Sequence, residues 1–410
     1  MCGASLLLAA ACAGEPETDG PPTLRWYTFR EPSGAYGEAV EACTEAAGGR
    51  YTIEMSYLPS AADQQREQLV RRLAAGDVDI DLMSMDVIWT PEFAEARWIR
   101  RWDGEAAEAA TEGRLEAAVD TATWDGCLWA APFTTNTQLL WYRTDLVETP
   151  PETWEEMLDR AEELAAAGSP HTIEVQGNRY EGLVVWFVSL LESARGDVLS
   201  EGGDEVALAE GPTERALEVM HRLATSPAAS PTLSTAQEDS TRLAFEAGGA
   251  AFMLNYTFVW PSAQANTPEI AEVTGWARWP RVLADEPSHV TVGGINLGVG
   301  AFSRHPELAF EAAACLASPA NQRRAAVLGG LLPTTASLYD DPAIQEAFPF
   351  ADLLREALED ASLRPETPAY NDVSLALQRV LHPPRRIDTS TDVDELRRRV
   401  GDAVASRGLL

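Results

Sequence analysis

The first folded part of the chain alternates strand and helix patterns, and this alternation is the strongest constraint on the fold. Residues 24–29 have a strand pattern, and apolar residues then recur at helical spacing over 36–47. An alternating strand pattern follows at 51–57, and after it come a helix pattern over 61–75 and a strand pattern over 80–85. This βαβαβ order predicts an α/β fold with a parallel sheet and helices on both of its faces.

The rest of the chain continues with helix and strand patterns. Thr153 and Glu156 have the spacing of a capping box, which marks the start of a helix. Aromatic residues beside polar groups recur at the tips of the predicted strands, where open α/β sheets bind their ligands. The pattern predicts a ligand cleft between two α/β lobes. Helices are also predicted over 213–224, 238–247, 306–316, 342–358, 372–381 and 392–405, and strands over 250–254 and 290–299.

The N-terminus has a short apolar run that ends in small residues before Cys12. Residues 13–22 then form a polar tether, rich in proline and glycine, that cannot bury a core. This order resembles a bacterial lipoprotein signal, so we expect a lipid on Cys12 that anchors the chain at the outer face of a membrane. The charged segment typical of such signals is missing, which indicates a start codon further upstream. A frayed helix start is the alternative.

The charge balance excludes one class of partner. The chain has 64 acidic residues against 31 basic ones, all of them arginine, and a formal net charge of −33. Such a surface repels phosphate backbones and acidic ligands, so we expect a neutral or cationic solute and no nucleic acid. After the N-terminal segment, no stretch approaches the ~20 apolar residues that a membrane span requires.

Three cysteines lie in the body of the chain, namely Cys43, Cys127 and Cys315. An exported chain meets an oxidising compartment, so one disulfide can form among them. Cys43 and Cys315 each lie on an amphipathic helix pattern, which favours that pair, although all three pairings remain open.

Several ordered segments resemble the extracellular sugar-binding proteins of ABC importers. The resemblance is to the maltose/trehalose-binding branch, and in particular to actinobacterial trehalose-binding lipoproteins. It extends over most of the chain, from about residue 23 to residue 390, and depends on the order of the segments rather than on any single one. The segments are 66–76, 79–83, 129–137, 140–143, 180–186, 245–248, 250–256, 293–296 and 318–322.

The resemblance implies two lobes, each a mixed, mostly parallel sheet flanked by helices, joined at a hinge with three crossovers. It assigns residues 1–21 to a signal and tether, 22–135 plus 290–345 to lobe one, and 136–289 plus 346–410 to lobe two. The lobes would close on trehalose or a related α-linked disaccharide, and two permease subunits with a separate ATPase would recognise the closed form. The resemblance further implies a monomer without a cofactor or metal.

The resemblance also assigns side chains to the ligand site, because sugar hydroxyls need ionised or amide partners and sugar faces need aromatic cover. Asp86 ends the third strand, where its carboxylate can accept two hydroxyls; the alternative is a cap for a helix that starts near Thr90. Asn136 resembles a cleft asparagine, with a hinge turn as the alternative. Glu238 resembles a hydroxyl-binding position and Tyr256 a position that covers a sugar face, although Glu238 also suits a helix start.

Glycine and arginine positions complete the predicted site. Gly293 and Gly294 would let the backbone approach a ligand closely, or would form a bulge where the chain recrosses the hinge. Arg364 resembles the family's late cleft arginine, whose planar guanidinium can hold hydroxyls or pair with a cleft carboxylate. Arg66 and Glu31 are secondary candidates.

Two other functions remain open. The first keeps the fold and binds a maltodextrin, another glucoside or a polyol. The second is a secreted glycoside hydrolase, which needs two carboxylates about 5–10 Å apart. The chain has neither a Gly-x-Ser-x-Gly nor a His-Glu-x-x-His motif, and its five histidines lack the spacing of metal ligands. We therefore expect a binding protein rather than an enzyme.

Overall fold

The computed structural model describes residues 20–31, 33–59 and 62–405. Cys12 and nearly all of the predicted signal and tether lie outside the described residues. In these ranges no helix is both long enough and apolar enough to cross a bilayer.

The strands and helices alternate along most of the described chain. The strands are β1 (Thr23–Thr28), β2 (Thr52–Tyr57), β3 (Leu82–Asp86), β4 (Thr123–Trp124), β5 (Cys127–Leu128), β6 (Ala130–Asn136), β7 (Leu139–Arg143), β8 (Thr172–Glu174), β9 (Ala250–Asn255), β10 (Thr274–Ala277), β11 (Gly293–Val299) and β12 (Leu332–Pro333). The helices are α1 (Ala35–Ala46), α2 (Ala62–Ala74), α3 (Thr90–Glu95), α4 (Gly104–Thr111), α5 (Glu116–Asp120), α6 (Trp154–Ala166), α7 (Glu181–Ser193), α8 (Glu210–Thr225), α9 (Glu238–Glu246), α10 (Val259–Asn266), α11 (Pro268–Ala271), α12 (Pro306–Leu316), α13 (Pro319–Gly329), α14 (Pro342–Ala347), α15 (Ala351–Glu359), α16 (Tyr370–Leu381) and α17 (Asp392–Ala405).

Two mixed sheets organise the described residues. The first has the strand order β12-β6-β11-β3-β1-β2, and the second has the order β10-β7-β9-β8. β1 pairs in parallel with β2 and with β3, which confirms the predicted βαβαβ beginning. β11 is antiparallel to both β3 and β6, because it returns from the second sheet between them. Most neighbouring strands in the two sheets are antiparallel. The prediction of mostly parallel sheets is wrong in this detail, since only the pairs β1–β2, β1–β3 and β8–β9 are parallel.

The chain passes between the two sheets three times, in a region that we call the hinge. It leaves β6 of the first sheet for β7 of the second, and it returns between β10 and β11. After β12 it passes again to α16 and α17, which pack in the core of the second sheet. Two of these passages run side by side, where the N–H of Val292 donates to the carbonyl of Ser362 at 2.8 Å. This arrangement is the predicted two-lobe architecture; the exact lobe boundaries remain a prediction.

Each sheet has its own buried core. β1, β3 and β6 pack with α1, α2 and α12 in the first lobe, whereas β7 and β9 pack with α6, α7 and α8 in the second. A third cluster joins Trp141 of the second sheet to Leu332 of the first and to Ile344 of α14. The boundary predicted near residue 345 lies inside this cluster, so the two lobes share apolar contacts there.

Local sequence signals had two different outcomes. The capping box is confirmed, because the Thr153 hydroxyl accepts the N–H of Glu156 at 3.2 Å at the start of α6. The single helix predicted over 342–358 is wrong, because α14 ends at Ala347 and α15 begins at Ala351. Pro349 explains the interruption: it has no N–H to donate and it disfavours helical geometry at the preceding residue, Phe348.

A disulfide links two helices of the first lobe. Cys43 of α1 and Cys315 of α12 are bonded, with their Cα atoms 5.9 Å apart, so the favoured pairing is confirmed. Cys127 is the free cysteine within the described residues.

Candidate functional site

Arg364 connects two carboxylates that belong to opposite lobes. Its Nη2 atom lies 3.1 Å from Oδ1 of Asp86, at the end of β3, and its Nη1 atom lies 3.0 Å from Oε1 of Glu181, at the start of α7. The Arg364 side chain is 5% exposed, the Asp86 side chain 22% and the Glu181 side chain 13%. We call these three residues the Arg364 bridge. Because β3 belongs to the first sheet and α7 packs on the second, the bridge spans the cleft between the lobes.

Glu181 has two further hydrogen-bond donors. The Tyr370 hydroxyl lies 2.5 Å from its Oε1 atom, and the Ser374 hydroxyl lies 2.5 Å from its Oε2 atom. Tyr370 and Ser374 are one turn apart on α16 and therefore lie on the same helix face. Burial raises the pKa of the Glu181 carboxyl, and Arg364, Ser374 and Tyr370 lower it in part. Burial lowers the pKa of the Arg364 guanidinium, but Asp86, Tyr370 and Glu181 raise it above its ordinary value, so Arg364 stays protonated.

Glu238 and Tyr256 lie in the second lobe near the Arg364 bridge. Glu238 begins α9, and Tyr256 directly follows β9. Burial raises the pKa of the Glu238 carboxyl, and the nearby Tyr180 hydroxyl lowers it in part. Burial and Glu238 raise the pKa of Tyr256, whose hydroxyl is also within electrostatic reach of Arg364 and Asp86. The structure therefore brings four of the predicted residues, Asp86, Glu238, Tyr256 and Arg364, into one neighbourhood.

Asn136, Gly293 and Gly294 meet at the hinge, where β6 pairs with β11. Gly293 lies opposite Asn136, and a β-carbon at Gly293 would lie 2.2 Å from Oδ1 of Asn136. Gly294 has a φ of +140°, and a β-carbon there would lie 2.2 Å from the Thr134 carbonyl oxygen. Backbone packing therefore requires glycine at position 294, whereas a side chain at position 293 would displace the side chain of Asn136. Oδ1 of Asn136 is buried and has no hydrogen-bond partner among the described residues.

The two secondary candidates have local partners. Arg66 on α2 forms a two-pronged ion pair with Glu92 of α3, with 2.7 Å between Nε and Oε2. The carboxylate of Glu31 accepts backbone N–H groups at the start of α1, from Ser33 at 2.7 Å and from Ala35 at 3.1 Å. These contacts give each residue a structural role, and a ligand role for either one remains a prediction.

A cavity of about 100 Å³ lies beside the Arg364 bridge. On the first-lobe side it is lined by α2, by the 3-10 turn Val87–Trp89 and by α3; on the second-lobe side it is lined by α7 and α16. It therefore lies between the lobes, next to the carboxyl end of β3, where an α/β sheet binds its ligands. Within the described ranges, no group of three or more His, Cys, Asp and Glu side chains could hold a metal ion. The polar and charged side chains that line the cavity suit a small polar ligand.

Known proteins are similar to this chain in sequence and in overall fold. The family model for bacterial extracellular solute-binding proteins matches residues 38–350. The chain belongs to this family. Deinococcus radiodurans has a relative that is described as a probable ABC transporter-binding protein. It is 28% identical to this solute-binding protein over 364 residues, which cover 84% of this chain and 86% of the relative.

Solved structures resemble this solute-binding protein over nearly its whole length. Maltose-bound MalE3 of T. maritima has a TM-score of 0.83 and 27% identity, and the match covers 92% of this chain and 99% of MalE3. The GacH receptor of Streptomyces glaucescens, solved without ligand and with acarbose, has a TM-score of 0.81 and 21% identity, with 93% and 97% covered. The two-lobe fold is therefore that of solute-binding proteins.

Sequence reasoning did not identify Glu181, Tyr370 and Ser374 as partners of the Arg364 bridge. Glu181 precedes the apolar run of α7, where an acidic residue is equally typical of a helix start. The helix that carries Tyr370 and Ser374 was predicted only from residue 372, so their common face was not apparent. The Tyr370–Glu181 hydrogen bond joins residues 189 positions apart, and no local pattern indicates such a contact.

Proposed function

We propose that this chain is the binding component of an ABC sugar importer and captures trehalose or a related α-linked disaccharide between its two lobes. As a monomer it would deliver the sugar to two permease subunits that work with a separate ATPase. The family and the Deinococcus radiodurans relative support the transport role. MalE3, which was solved with maltose, supports a saccharide as the ligand.

The Arg364 bridge, with Glu238 and Tyr256 beside it, is the main structural support for a sugar ligand. Carboxylates accept sugar hydroxyls and a guanidinium donates to them, so one sugar can contact both lobes at the same time. The Tyr256 ring can cover the apolar face of a sugar ring. A buried group left without a partner costs about 1–3 kcal/mol, so a mismatched pattern of hydroxyls is rejected. The proposed contacts are Asp86, Asn136, Glu238, Tyr256, Gly293, Gly294 and Arg364, with Arg66 and Glu31 as outer contacts.

A thermal-shift panel tests the ligand. We expect trehalose to stabilise the purified protein, because a ligand at 100 times its dissociation constant adds about 2.7 kcal/mol to the free energy of unfolding. Maltose, a maltodextrin, an aryl glucoside and a polyol are compared at equal concentration, and calorimetry measures the affinity of each ligand that produces a shift. A shift with maltodextrin and none with trehalose would replace trehalose by that alternative. No shift with any of them would contradict a sugar ligand.

The same sugars separate binding from hydrolysis. Membership in a family of solute-binding proteins supports binding of the sugar without its hydrolysis. A glycoside hydrolase would release glucose from trehalose, maltose or the aryl glucoside at a rate proportional to protein concentration. Such sustained release, retained through purification, would replace the transport proposal by the enzyme alternative.

We also propose that a lipid on Cys12 holds the protein at the outer face of the cytoplasmic membrane. The apolar run before Cys12, the polar tether after it and the extracellular family support this location. Mass spectrometry of protein isolated from membranes should detect a tryptic peptide that begins at Cys12, ends at Arg25 and carries diacylglycerol. A peptide that begins before Cys12, continues past it and carries no lipid would contradict the proposed lipid anchor.

A further inference from the structure

The segment that carries Arg364 has little regular structure to orient the side chain. It lies between α15 and α16, and its nearest ladder contact is the isolated bridge from Ser362 to Thr291. Pro365 restricts the backbone of Arg364 to extended geometry but does not orient its long side chain. The Nε atom of Arg364 is buried without a hydrogen-bond partner among the described residues. The direction of the guanidinium therefore depends on the partners of its two Nη atoms.

Glu181 is the more rigid of the two partners. It is the first residue of α7, and residues 182–191 of that helix are all buried in the core of the second lobe. The hydroxyls of Tyr370 and Ser374 hold its two oxygens at 2.5 Å, and Arg364 is its third donor. The start of a helix also favours a negative charge at this position. Its carboxylate is thus oriented by two helices before it contacts Arg364.

Asp86 differs from Glu181 in both exposure and partners. Its side chain is 22% exposed, against 13% for Glu181, and its Oδ1 atom accepts the Ile88 N–H at 3.2 Å as well as the Arg364 guanidinium. None of the described hydrogen bonds involves its other oxygen, Oδ2. Oδ2 of Asp86 is therefore open to a ligand. Glu181 lines the cavity beside the Arg364 bridge, but both of its oxygens already accept hydrogen bonds from three donors.

We propose that Glu181 is a positioning residue: it sets the orientation of the Arg364 guanidinium, directs Nη2 towards Asp86 and the cleft, and acts on the ligand only through Arg364. The effect on sugar affinity rests on the proposed function, whereas the effect on Arg364 itself does not. The inference is therefore tested first on the full chain without sugar.

Side-chain NMR of ¹⁵N-labelled arginine measures the mobility of the guanidinium directly, and Arg364→Lys identifies the Arg364 signals by their loss. In the wild type we expect separate, slowly exchanging signals for its two Nη groups. Glu181→Gln should accelerate this exchange about tenfold or more, because the charged hydrogen bond to Nη1 is lost. Glu181→Asp keeps the charge but shortens the side chain, so it should also accelerate the exchange. It replaces Glu181→Gln in the experiment if that variant does not fold.

Glu192→Gln is the matched control, because it makes the same change on the same helix. Glu192 lies eleven residues further along α7, about 16 Å away, and burial raises the pKa of its carboxyl to about 8. This control should leave the Arg364 signals unchanged. Unchanged signals in Glu181→Gln as well would overturn the proposal.

Calorimetry with the best sugar of the panel then tests the effect on binding. We expect Glu181→Gln to weaken binding about 10- to 100-fold and Glu192→Gln to leave it within about twofold. Loss of affinity with unchanged Arg364 signals would show that Glu181 contacts the sugar directly, and would also overturn the proposal. If no sugar binds the wild type, the proposed function fails, while the arginine signals still decide the role of Glu181.

Discussion

Replacing Arg364 with alanine is expected to lower the free energy of unfolding by about 3–5 kcal/mol at neutral pH and to abolish the thermal shift produced by sugar. The substitution leaves Asp86 and Glu181 without their shared cation, and their side chains are only 22% and 13% exposed. Carboxylates that are buried and close together repel each other and have little water to compensate. Urea unfolding followed by tryptophan fluorescence measures the loss.

An exposed ion pair supplies the control for this prediction. Arg71 pairs with Glu67 on α2, and their side chains are 76% and 56% exposed. Arg71→Ala should change the free energy of unfolding by less than about 1 kcal/mol, because solvent screens such pairs. If Arg364→Ala had an effect no larger than this, the Arg364 bridge would have no special role in stability.

The decrease in the free energy of unfolding caused by Arg364→Ala should also depend on pH in a defined direction. Burial already raises the pKa of Glu181, and removal of Arg364 takes away a group that lowers it. A carboxyl with a higher pKa in the folded state binds protons preferentially when folded, so the free energy of unfolding falls as the pH rises through that interval. The difference from wild type should therefore be larger at about pH 8 than at about pH 5, and adding Glu181→Gln should reduce it. A difference independent of pH would exclude Glu181 as its source.

Removing the disulfide through the double substitution Cys43→Ser and Cys315→Ser is expected to lower the free energy of unfolding by about 5 kcal/mol. The bonded residues are 272 positions apart, and cross-links that close long loops restrict the unfolded chain most strongly. They also join α1 to α12, two helices that pack in the core of the first lobe. Urea unfolding of the variant and of wild type under non-reducing conditions measures the difference.

Two controls separate the cross-link from other effects of the cysteine substitutions. Cys127→Ser removes the free cysteine and should leave stability nearly unchanged. Wild type treated with a thiol reductant should lose as much stability as the double variant, since both then lack the bond. A stable double variant, or a reductant effect much smaller than that of the substitutions, would show that the loss does not come from the cross-link.

Local patterns predicted most of the elements that position the site. The βαβαβ beginning placed Asp86 at the end of a strand, and β3 does end at Asp86. The helices predicted over 306–316 and 392–405 agree with α12 and α17 at both ends. Such elements follow from the spacing of apolar residues and from end signals, which act between neighbours in the chain. The interruption at Pro349 had a local signal too, and the prediction overlooked it.

The partners of the site residues were not predictable in this way. The partner of Arg66 is Glu92 on α3, 26 positions away, and no local pattern indicates this pair. Glu31 is the exception, because its partners are the N–H groups of Ser33 and Ala35 close by in the chain. Arg364 was assigned to the cleft by resemblance, which mentioned a carboxylate partner but not which one. Its two partners, Asp86 and Glu181, are 278 and 183 positions away from it.

The sequence by itself determined the succession of strands and helices, the acidic surface and the membership of an extracellular solute-binding family. The family resemblance also indicated which residues approach the cleft. Only the tertiary structure decided that Arg364 connects Asp86 to Glu181 and that Tyr370 and Ser374 hold Glu181. The physical reason is that periodicity and capping act over a few residues, whereas an ion pair between lobes depends on how three passages of the chain cross at the hinge. That crossing is set by the packing of the whole chain and leaves no signature in any short segment.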